Sequence, residues 1–97
     1  MSFDLKKASL ELAKTTIQTI QIQAAYTWGS RACIAFQNFV KTKDIRWYHD
    51  GLEYMHESLE HASLSEAKQP GLLKEIHNKV LPLQQEAELI IRKKSFI

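Results

Sequence analysis

A chain of 97 residues forms one small domain, residues 1–97, with room for only a thin core. Apolar residues at 44% and charged residues at 25% match folded proteins and exclude wholesale disorder. Three glycines and two prolines are too few for a many-stranded sandwich or barrel, and a net charge of +2 is too even to point to nucleic acid.

The first segment runs from about Asp4 to Val40 with Gly29 as its one helix-weakening residue. Leu10, Ala13, Ile17, Ile20, Ala24, Trp28, Ala32, Ala35 and Phe39 recur at three- and four-residue steps, the period of a helix packing on a helix. From Ile22 onward a second row appears, with Tyr26, Gly29, Cys33, Phe36 and Val40. Thr16 to Gln23 also alternates like a strand, but a single strand has nothing to pair with, so helix is expected there. A break near Ile22 or Gly29 would give four helices. No turn residue lies between Ile20 and Ala25, which argues for one long rod.

The second segment has Asp44 as an N-cap before a seam of Ile45, Tyr48, Leu52, Met55, Leu59 and Ala62. Ser63 to Pro70 reads as the connection. The third segment carries Leu73, Ile76, Val80, Leu83, Ala87 and Ile90 on one stripe, with Pro70 in its first turn. Pro82 falls inside the stripe without shifting its phase, which predicts one bent helix. The fold expected is an antiparallel three-helix bundle with a long first helix. No internal repeat emerges.

Charge is distributed unevenly. Residues 15–40 contain one ionised side chain, Arg31, although the chain holds 13 basic and 11 acidic residues. A helix charged on no face is either central to its fold or covered by another chain. At 1.5 Å per residue, a rod of ~37 residues spans roughly 55 Å, against about 28 and 36 Å for the two later helices. Its N-terminal half is therefore expected to outrun them. The simplest cover is a second copy, since two-fold pairs dominate oligomers. Ile17, Ile20, Gln21, Ala24 and Trp28 are the expected partner-binding residues of a non-catalytic interaction module, whether adaptor, chaperone or assembly subunit.

The alternative is a metal-binding bundle. His49, Glu53, His56 and Glu60 fall on one stripe of the second helix, and imidazole with carboxylate suits zinc or iron. A complete di-iron site needs a second Glu-x-x-His pair and two further glutamates, which this chain does not supply at the right spacing. His61 and His77 read as surface residues. Cys33 has no histidine within a helical turn, and no phosphate loop or cysteine pair is present. Neither an enzyme nor a resident cofactor is expected. Trp47 and Tyr48 beside Lys41, Lys43 and Arg46 could stack on single-stranded nucleic acid, but Tyr48 belongs to the core seam. The uncharged run Thr15–Ser30 is too short and polar to span a bilayer. Asp4, Lys6 and Lys7 interrupt any apolar leader, and a lone cysteine suits a reducing cytoplasm.

Overall fold

In the computed structural model, the backbone is described for residues 5–95 and side chains for residues 17–94. Three α-helices follow in chain order: α1 (Leu5–Thr42), α2 (Ile45–Leu64) and α3 (Leu72–Ser95). No strand occurs among the described residues. The four-helix alternative does not arise: α1 passes through Ile22 and Gly29 without interruption for 38 residues, about 57 Å.

The α1–α2 corner takes two residues. Lys43 adopts the left-handed conformation (φ 61°), and its N–H donates to the Phe39 carbonyl at 2.7 Å, closing α1. That conformation costs a side chain with a Cβ roughly 1–2 kcal/mol. Lys43→Gly is therefore expected to stabilise the fold by about 1 kcal/mol, read as a melting point higher by several degrees.

Asp44 caps α2 as its sequence position predicts, its carboxylate accepting from the Arg46 N–H at 3.0 Å. The Arg46 side chain also grips both carboxylate oxygens, at 2.7 Å for the closest contact. Bonding from Arg46 holds the Asp44 carboxyl below its ordinary 3.8. A lowered folded value means that the stabilisation is complete above the ordinary value and is lost as pH falls through the lowered one. Asp44→Asn keeps a capping oxygen but cannot titrate. Urea midpoints of the variant should show a shallower fall below about pH 4 than those of the parent.

α3 begins later than Pro70 suggests. Gly71 has φ +89°, outside the helical range, so the helix starts at Leu72. Its first turn is satisfied from the connection: Glu66 accepts from the Gly71 N–H at 2.8 Å and from the Leu73 N–H at 3.2 Å. Pro82 lies inside α3, and the helix continues through it as one element.

Each helix packs on the other two. The core comprises Ala25, Ala32, Phe36 and Phe39 of α1, Met55 and Ala62 of α2, and Leu72, Ile76, Val80 and Ala87 of α3. The buried rows follow the apolar ones at Ala32, Ala35 and Phe39, at Met55 and Ala62, and at Ile76, Val80 and Ala87, and depart from them at a few positions. In α1, Ala25 is buried and Ala24 is half-exposed; in α3, Leu72 is buried and Leu73 is 37% exposed. In α2 the row includes Gly51 and Ser58, while Ile45 lies outside, 46% exposed.

Small residues set the α1–α2 separation. The Ser58 hydroxyl, fully buried, donates to the Ala25 carbonyl beside Gly29. Gly51 lies against the ring of Phe36, where a Cβ would come within 2.6 Å of a ring carbon. Tyr48 closes the far end between Phe36 and Phe39, at ring separations of 6.0 and 5.8 Å.

The molecule is a rod, with extents of 76 × 21 × 15 Å. Its radius of gyration is 18.3 Å, against about 13 Å for a compact domain of this length.

Candidate functional site

The elongation comes from α1. Near its middle α1 still has neighbours: Gln21 meets His61 of α2, and Tyr26 donates to Glu75 of α3 at 3.1 Å. α2 ends three residues after His61, and α3 begins at Leu72. The α1 backbone from Leu5 to about residue 18 therefore runs past both, for roughly 20 Å. Leu10 and Ala13, part of the apolar row in the sequence, lie outside the residues whose side chains are described.

The bare surface is not confined to that overhang. α2 packs on α1 through Ala25, Trp28 and Phe36, and α3 packs through Tyr26 and Gly29. Among the described residues, the opposite side of α1 faces neither α2 nor α3. Ile20 and Ile34 are 58% and 56% exposed there, and Ile17, on the bundle-facing side but beyond the ends of α2 and α3, is 57% exposed. Between them Gln23, Thr27, Ser30 and Arg31 are exposed, and Arg31 is the one charge on this stretch. Single exposed apolar residues are ordinary on protein surfaces; two isoleucines along one charge-poor helix face, with a third at its overhanging end, are a patch.

Of the five residues that the sequence singles out on α1, only Ile17 and Ile20 stand free of the bundle as large apolar groups. Ala24 is half-exposed at the edge of the same face. Gln21 and Trp28 work within the chain. Gln21 offers its amide oxygen to His61, so His61 donates through Nδ1. Trp28 packs against Tyr54 with ring centroids 5.5 Å apart, and the Arg31 guanidinium sits over it at 4.8 Å. Ile34 was not distinguished by periodicity, because it falls on neither apolar row. Its signal is its spacing of fourteen residues, four helical turns, from Ile20.

No protein-family model, curated protein or solved structure matches the chain.

The α2 stripe has a different character. His49, Glu53, His56 and Glu60 are all exposed, and the closest approach within it is 3.8 Å between His56 and Glu60. Among the described residues no three His, Cys, Asp or Glu side chains converge as a metal site would require. An exposed His–Glu pair one turn apart contributes a few tenths of a kcal/mol. His61 is half-buried rather than a free surface residue, held between Gln21 and Glu57. His77 is exposed.

A concavity of about 110 Å³ lies between α1 and α3, lined by Tyr26, Gly29, Ser30, Cys33, Ile76, Lys79 and Val80. Burial pushes the Cys33 thiol up, and a hydrogen bond with backbone and the Lys79 charge offset only part of this. A raised thiol has little thiolate at neutral pH and reacts poorly. Among the described residues no helix is long and apolar enough to cross a membrane.

Proposed function

We propose that the protein is a non-catalytic helical interaction module, a small adaptor, chaperone or assembly subunit of the cytoplasm, that associates with itself through the charge-poor face of α1. One observation carries this reading: three isoleucines of α1 stand more than half exposed in a stretch, residues 15–40, whose only charge is Arg31. Depletion of charge with retention of aliphatic side chains and amides is the composition of an interface centre. A second copy suits it because a two-fold contact sets a patch against itself, and a patch bearing many like charges would repel its own copy.

Ile17 and Ile20 remain the leading contact residues, joined by Ile34. An aspartate at Ile17 or Ile20 should lower the mass measured by light scattering while helicity by circular dichroism stays intact. Unchanged mass with intact helicity rejects the reading.

A further inference from the structure

We infer that two copies pair α1 against α1 in opposite directions about a two-fold axis at Thr27, setting Ile20 of each copy against the partner's Ile34. The inference rests on the self-association proposed above and adds its geometry.

Ile20, Thr27 and Ile34 are seven residues apart, so they form one row along α1. That row lies on the side away from the contacts to Ser58, Gly51 and Ile76. All three side chains are exposed. The row reads the same from either end: isoleucine, threonine, isoleucine. Its flanks match as well. Three residues before Thr27 stands Ala24 and three after stands Ser30, both small. Four before stands Gln23 and four after stands Arg31.

Reversing the helix onto itself about Thr27 therefore sets Ile20 against the partner's Ile34 and Thr27 against its own copy, and brings Gln23 level with the partner's Arg31. Gln23 offers an acceptor oxygen to the partner's Arg31, whose guanidinium is already held at the edge of the face over Trp28. Small residues at the crossing let the backbones approach toward the near end of the usual 8–10 Å separation.

A parallel pairing in register would instead face Arg31 with the partner's Arg31 and align the two helix dipoles. The antiparallel register opposes the dipoles and separates the arginines. It also lays residues 12–18 of each overhang beside residues 36–42 at the C-terminal end of the other copy's α1.

Cysteine cross-linking tests this register in the full chain, with Cys33→Ala removing the native thiol. Thr27→Cys places two thiols next to the axis, within reach of a disulfide. Gln37→Cys, equally exposed, places them far apart. Under mild oxidation at equal concentration, Thr27→Cys should form covalent dimer at least ~10-fold faster than Gln37→Cys. Ile20→Cys combined with Ile34→Cys should cross-link as well. Solution mass is read on the same samples before oxidation, with circular dichroism to confirm the fold. A dimeric mass with faster cross-linking at Gln37→Cys, or equal rates, overturns the register and leaves self-association standing. A single-chain mass at every concentration overturns both.

Discussion

Phe36→Ala should destabilise the bundle by about 3–5 kcal/mol, the cost of emptying a large aromatic site in a rigid core. A small domain has only about 5–15 kcal/mol in total, so a large share of its stability is lost. Phe36 is fully buried, and its ring packs under Gly51 of α2. The site is tight from the other side too. Gly51→Ala brings a Cβ to 2.6, 2.7 and 2.9 Å from three ring carbons. A helix interior gains about 1 kcal/mol when alanine replaces glycine, while overpacking costs about 1–3 kcal/mol. The net effect should be loss. The double variant separates packing from backbone effects, because the new methyl enters the space that the ring vacates. Its destabilisation should fall short of the sum of the two single changes by more than about 0.5 kcal/mol in urea unfolding. Additive losses would show that Gly51 and Phe36 do not share one packing site.

Ile20→Asp and Ile34→Asp should each weaken self-association by about 10²–10⁴-fold. Burial of an isoleucine contributes about 1.5–3 kcal/mol, and a two-fold interface contains each residue twice. Loss of ~3–6 kcal/mol corresponds to that range at 1.4 kcal/mol per tenfold. Neither change should disturb the monomer, since both side chains point away from the core and are more than half exposed. Ile34 is the more telling position. It lies in the part of α1 that α2 and α3 flank, well away from the overhang, so an effect there requires a partner along the length of the face.

The helix count, the long first helix, the Asp44 cap and the passage through Pro82 follow from hydropathy period and turn chemistry, which are local properties. The apolar rows also find Ala32, Phe39, Met55, Ala62, Ile76, Val80 and Ala87, all buried, but they include Ile45, Leu73 and Ala24, which stay partly exposed, and pass over Gly51, Ser58, Leu72 and Ala25, which are buried. Glycine and serine carry no apolar signal, but their small size lets two backbones meet, and a serine hydroxyl can bond to the facing carbonyl. Tertiary approach therefore decides which small residues join the core.

The candidate surface was legible in outline for a related reason. The absence of charge from residues 15–40 is visible in the sequence, and so is the mismatch in helix length. The sequence could not separate residues that finish the bundle from those left outside it. Gln21 and Trp28 have side-chain partners on α2, His61 and Tyr54. Ile34 belongs to neither apolar row, so periodicity alone did not single it out.

The mass of the unmodified chain in solution, followed by sedimentation equilibrium across a broad concentration range, tests most directly whether the bare face of α1 is covered by a second copy. Twice the 11.2 kDa of one chain, relaxing toward 11.2 kDa on dilution, is the predicted result. A mass that stays at one chain at every concentration, with the helices intact, would contradict it.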